Sequence, residues 1–179
     1  HVFVITADGV TIENGSLTGQ KVISASNAGN ITLKHVTITG TGNSDEAVRI
    51  YNASVTLDGV TLDAQTIGVR TWEGGSVYVI GGSKLTSDYI TLWALAGTSA
   101  TVNDSTINAE GGAACYYAIY AQGEVNVTNS TLNSDYIAVE ANNGATVVLD
   151  KATINVTYNN GMGIGIGTGE NTSVTVKGS

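Results

Sequence analysis

Proline is absent from this chain of 179 residues, and cysteine and phenylalanine each occur once. A single cysteine excludes an internal disulfide framework, so burial and backbone pairing must hold the fold together. Without proline, no position is barred from donating to a ladder of backbone hydrogen bonds. Charged residues are also scarce, at 12%, and the balance is −8. The basic residues Lys21, Lys34, Arg49, Arg70, Lys84, Lys151 and Lys177 are scattered along the chain. No basic stripe exists to neutralise phosphates, which argues against nucleic acid as a partner. No apolar run approaches the length of a membrane-spanning helix, so membrane insertion of this segment is not expected. Cys115 lies in an apolar stretch without basic neighbours and is expected to be a buried, inert thiol.

What the sequence does contain is a repeat. A signature of the form V-x-V/L, two turn residues, then x-[ST]-[IL] begins at Val10, Ile31, Val55, Val77, Ala100, Val125, Val147 and Val174. Intervals of 21 to 27 residues belong to solenoids, in which one coil cannot bury its apolar face alone. The coil at Val125 shows the grammar. Val125-Asn126-Val127 alternates inward and outward as a half-buried strand. Thr128-Asn129 turns a corner, and Ser130-Thr131-Leu132 forms a second strand with Leu132 inward.

Across coils the second corner residue reads Asn14, His35, Gly59, Gly81, Asp104, Asn129 and Lys151. Asn, Asp and Gly dominate because they enter the left-handed backbone region at least cost. The inward column of the second strand reads Leu17, Ile38, Leu62, Leu85, Ile107, Leu132 and Ile154. Outward beside it stand Ser16, Thr37, Thr61, Lys84, Thr106, Thr131 and Thr153. The next outward column is Thr18, Thr39, Asp63, Thr86, Asn108, Asn133 and Asn155, whose amides are expected to bond from coil to coil. A third strand closes each coil, with inward pairs expected at Val48/Ile50, Ile67/Val69, Ile90/Leu92, Ile119/Ala121, Ile137/Val139 and Ile164/Ile166. Coil length varies mainly between the second and third strands.

These features predict an all-β fold, a parallel β-helix of about seven coils with three short strands each, forming one domain over 1–179. The right-handed preference of parallel crossovers makes the expected helix right-handed. Because the sequence stops just after a first strand, without a polar cap, a fragment of a longer protein is expected, with open ends able to self-associate. With this coil pattern, phrases such as Glu124-Val-Asn-Val-Thr-Asn-Ser-Thr-Leu-Asn133 resemble the repeats of bacterial surface proteins. The chain is similar to right-handed parallel β-helices of the pectin-lyase-like superfamily, most of all to autotransporter-passenger and adhesin repeats. That resemblance implies an extracellular or cell-surface location. It also implies that any cleft lies on the third-strand face, walled by the variable loops.

On that face the outward residues are expected to be Arg49, Gly68 with Arg70, Thr91, Tyr120, Ala138 with Glu140, and Gly165. A glycoside hydrolase would need carboxylates converging from adjacent coils, and a calcium-dependent lyase several around one ion. Asp45, Asp88 and Asp135 share a loop position but stand two coils apart, about 10 Å, which is too far for a shared metal. No cofactor or metal is called for, and the expected site has no catalytic residues. The aromatics are the stronger signal. Tyr51, Trp72, Trp93 and Tyr120 are expected to follow the third strand on successive coils, beside Arg49 and Arg70. Tyr89, Tyr116, Tyr117, Tyr136 and Tyr158 are expected in or beside the variable loops. Exposed Trp and Tyr concentrate at binding surfaces, although rings that merely stack from coil to coil would look the same in sequence.

The expected function is a non-enzymatic adhesin or stalk module. Its ligands would be glycans or host surface proteins, met through Arg49, Tyr51, Arg70, Trp72, Trp93 and Tyr120. The alternative is a carbohydrate-active β-helix enzyme, a polysaccharide lyase or hydrolase. Ice binding through the T-x-T phrases Thr37-Ile-Thr39 and Ser16-Leu-Thr18 ranks third, because Asp63, Asn108, Asn133 and Asn155 break the two-row threonine array. Asn-x-Ser/Thr tripeptides at Asn14, Asn30, Asn52, Asn103, Asn126, Asn129, Asn155 and Asn171 follow from asparagine corners beside threonine strands.

Overall fold

The computed structural model describes residues 1–43, 45–111, 116–157 and 164–179. Cys115 and Tyr158, to which the sequence assigned a buried thiol and a loop ring, lie outside them. The chain winds as a parallel β-solenoid of about seven coils, each contributing one strand to each of three sheets. Among the described residues there is no helix. The coil read above from sequence has its strands at Glu124–Thr128, Thr131–Ser134 and Ile137–Ala141. Each strand pairs in parallel with its equivalents in the adjacent coils, on one side only at the two ends of each sheet, and not with its neighbours in sequence.

The corner between first and second strands is the most regular feature. All seven of its second residues, from Asn14 to Lys151, have φ between 48° and 69°. Lys151 adopts this conformation as well, although lysine is not a residue type that favours it. The bend is therefore imposed by the fold, and the local preference of Asn, Asp and Gly only lowers its cost. Past the corner, Leu17, Ile38, Leu62, Leu85, Ile107, Leu132 and Ile154 pair coil to coil in unbroken register. The five central members are fully buried, and Leu17 and Ile154 at the two ends are half-buried. The extra residue in the coil at Val77 is absorbed at its corner, by Gly81 and Gly82, both at positive φ.

Outside that column the expected amide ladder forms. Asn155 donates to Asn133 (2.8 Å), Asn133 to Asn108 (2.7 Å) and Asn108 to the Thr86 hydroxyl (3.2 Å). Hydroxyls placed inside the stack are also bonded. Thr71 and Thr98 share a hydrogen bond of 2.6 Å, and Ser83 accepts from the Val60 amide while facing the Leu57 and Ile80 carbonyls. Buried polar groups cost little when paired in this way.

The third strand departs from expectation in two respects. Its inward columns are Val48, Val69, Leu92, Ile119, Val139, Ile166 and, two residues on, Ile50, Thr71, Ala94, Ala121, Ala141, with the exposed Thr168 continuing the second in register. The pairs assigned from sequence in the coils of Val48 and Ile119 were thus two residues out of step. A shift of two keeps every side chain on its own side of the sheet, so the core assignment survives. The second departure concerns Gly68, Thr91 and Ala138, expected outward but buried. At the start of this strand three successive residues, such as Ile67-Gly68-Val69, are all buried. A Cβ on Gly68 would collide with the Thr91 carbonyl and Leu62. The Thr91 hydroxyl is bonded to Ser87 (2.8 Å) and to the Asn108 carbonyl.

Candidate functional site

The outer face of the third-strand sheet carries the candidate residues. Register aligns Ser24, Arg49, Arg70, Trp93, Tyr120, Glu140 and Gly167 in one outward column. Two residues further along, Ser26, Tyr51 and Trp72 form a second. The four rings expected as a single row are therefore divided. Trp93 and Tyr120 continue the arginine column, and Tyr51 and Trp72 stand beside it. The division arises because Glu46–Tyr51 and Ile67–Trp72 extend through their rings, whereas Ile90–Ala94 carries its tryptophan one position before its end.

This arrangement places a cation between two indoles. The Arg70 guanidinium lies 3.9 Å from the centre of the Trp72 ring and 3.8 Å from that of Trp93. Arg49 approaches Trp72 at 5.5 Å. Beyond Trp93 the contacts continue edge to face, Trp93 with Tyr120 at 5.5 Å and Tyr120 with Tyr117 at 5.1 Å. The Tyr120 hydroxyl accepts from the Asn142 amide (3.3 Å), which also bonds Glu140 (2.9 Å). Five of the six expected residues, Arg49, Arg70, Trp72, Trp93 and Tyr120, thus form one continuous ladder across four coils. Tyr51 stands at its side and donates to Glu73 (2.6 Å), a bond that pushes its phenol above the usual tyrosine range.

The ladder's electrostatics are uneven. Arg49 is held through its Nε by Glu46 (3.5 Å), a carboxylate buried at the start of the same strand. Arg70 has no carboxylate within ion-pair distance among the described residues. Burial between the rings pulls its guanidinium below the usual arginine range, while Glu46 nearby works in the opposite direction. Three donors in the cluster are shielded without an acceptor: Nε of Arg70 and Nε1 of Trp72 and of Trp93. Cation–π contacts of this kind contribute roughly 0.5–2 kcal/mol each, more as they lose water. They also occupy ring faces that a sugar would otherwise stack upon.

Sequence reasoning missed a row of acids. At the corner leaving the second strand, backbone bonds put Thr41, Gln65, Asp88, Glu110, Asp135 and Thr157 in one column. Glu110 fills the coil between Asp88 and Asp135, and Asp45 is not in the column, being paired instead with Lys21 (2.8 Å). Asp88 and Asp135 remain two coils apart, about 10 Å as expected, and Glu110 between them brings neighbouring carboxylates to about 4.8 Å along the axis. Glu110 stands three residues after Ile107, as Asp88 and Asp135 stand after Leu85 and Leu132, but it follows Ala109 where they follow Ser87 and Ser134, and that difference concealed it. Asp88 is exposed, but partial loss of water around its carboxyl, with help from Asp63, pushes it above the usual carboxylate range. Among the described residues, no group of three or more His, Cys, Asp or Glu is arranged to hold a metal ion.

Compared with models of known protein families, with curated proteins and with solved structures, the chain matches none.

Proposed function

We propose that this chain is a non-enzymatic module of a secreted or cell-surface bacterial protein, a stiff stalk with an adhesive flank. The observation that carries the reading is the ladder from Arg49 to Tyr120 on the outer face of the third-strand sheet. Stacked coils in register leave little freedom along the axis, which suits a spacer. Arg, Trp and Tyr are the side chains that dominate the energetics of contact surfaces. Kinship with autotransporter passengers and the wider pectin-lyase-like superfamily belongs to this proposal and rests on the repeat phrases alone.

The test is a combined array of glycans and surface proteins probed with the purified chain. Binding that falls in Trp72→Ala and Trp93→Ala supports the reading. Binding that both variants retain removes this flank from it.

A second reading, a polysaccharide lyase or hydrolase, is favoured by one observation: Asp88, Glu110 and Asp135 on consecutive coils, with Asp88 biased toward its protonated form. Paired carboxylates with separated protonation are what glycosidic cleavage requires. Release of oligosaccharide products from a polysaccharide panel, lost in Asp88→Asn, would establish it in place of the first.

A further inference from the structure

The proposed contact flank has a polarity that defines its partner. Read along the axis, the outward column runs Arg49, Arg70, Trp93, Tyr120, Glu140. It is cationic over two coils, aromatic over two, then anionic. We infer that this column docks an extended segment of a partner protein that carries carboxylates at one end, apolar side chains in the middle and a basic residue at the other. The inference rests on the reading of this flank as a recognition surface and adds the chemistry of what it recognises.

Three observations favour a protein segment over a sugar chain. First, the flat faces of Trp72 and Trp93 are engaged by the Arg70 guanidinium at 3.9 and 3.8 Å, and Trp93 meets Tyr120 edge to face. Stacking of a pyranose needs a free face, whereas aliphatic side chains pack against ring edges without one. Second, Arg70 is a half-buried cation with no carboxylate within ion-pair distance among the described residues, in a chain whose balance is −8. Its planar fork, fixed by the rings, is shaped for a bidentate carboxylate. Third, a parallel sheet presents a flat face, and flat surfaces rich in Arg, Trp and Tyr are typical of protein contacts.

The reach is consistent. Four coil steps separate Arg49 from Glu140, about 19 Å at the usual strand spacing, which about six extended residues cover.

The experiment measures binding of a fluorescent peptide, acetyl-Glu-Glu-Val-Tyr-Val-Lys-amide, by anisotropy at low ionic strength. A second peptide replaces both Glu by Gln, and oligogalacturonate and a heparin fragment serve as anionic glycans. The expected result is binding of the acidic peptide alone, weakened about tenfold or more in Arg70→Gln. Arg70→Lys should recover only part of it, because an ammonium cannot stack as a plane. Lys84→Gln, on the second sheet, should bind as the parent does. Thermal melts and far-UV spectra of each variant separate lost contact from lost fold. Arg70-dependent binding of the anionic glycans without the peptide would overturn the inference and leave the recognition reading in place. Equal binding of the two peptides would also overturn it. If neither peptide nor glycan binds, the inference fails, and a blank array as well would end the recognition reading.

Discussion

Replacing Leu85 by alanine tests whether the second-strand column carries the stability of the solenoid. Leu85 is fully buried and sits between Leu62 and Ile107, which are also buried. Truncation removes three carbons from this environment, about 2.4 kcal/mol at roughly 0.8 kcal/mol per buried methylene. Both neighbours are held by their own ladders of backbone bonds and cannot close in, so a cavity term adds to the transfer term. The expected total is about 3–4 kcal/mol, within the range for buried leucines in well-packed cores. Against a total of roughly 5–15 kcal/mol for a folded domain, that is a large share. The matching control is Leu17→Ala in the same column, at the end of the stack, where the side chain is half-buried. There the loss should be no more than about half as large, since part of the side chain already meets water. Urea titration followed by circular dichroism reads both, with the midpoint falling and the slope unchanged. If Leu17→Ala costs as much as Leu85→Ala, the idea of a continuous central column stabilising the whole stack is wrong.

Other outcomes follow from single positions. Lys151→Gly should raise the melting temperature by relieving about 1 kcal/mol of left-handed strain at φ 53°, and a lower melting temperature would show that the corner is not strained. Asp88→Asn should give a small rise in stability at neutral pH that vanishes below the ordinary carboxylate range. The sign follows from a folded-state pKa above the unfolded one: the folded chain binds the proton more tightly, so the ionised carboxylate disfavours folding as pH rises through it. Comparison of melts at acid and neutral pH decides the matter. Asn133→Ala should cost about 1–2 kcal/mol, because it leaves Asn108 without a donor and Asn155 without an acceptor; a loss no greater than for Thr131→Ala would show that the amide ladder contributes nothing.

Legibility in the sequence followed the range of the physics involved. The corner at Asn14, Gly59 and Asn129 was readable because left-handed backbone is a property of one residue, and its steric cost selects residue types locally. The column from Leu17 to Ile154 was readable because it lies a fixed number of residues after that corner. The third strand follows a loop of variable length, so its register depends on pairing between coils that no local pattern reveals. For that reason Val48 was matched to Ile67 when it pairs with Val69. Glu110 does not share that uncertainty: it stands three residues after Ile107, as Asp88 does after Leu85, and was legible from the same fixed offset. The uncertain register of the third strand also placed Tyr51 and Trp72 in the same row as Trp93, when a two-residue offset is what lets the indoles close on Arg70 from two sides. Residue type announced that rings and arginines met on one flank. Which faces they would leave open depended on that offset, which brings the Trp72 and Trp93 rings onto Arg70, a guanidinium with no carboxylate within ion-pair distance among the described residues. On the inference drawn above, a partner that satisfies Arg70 has more to gain here than one that seeks a bare tryptophan, and the two kinds should respond in opposite ways to Arg70→Gln. The substitution weakens the first and, by freeing both indole faces, strengthens the second.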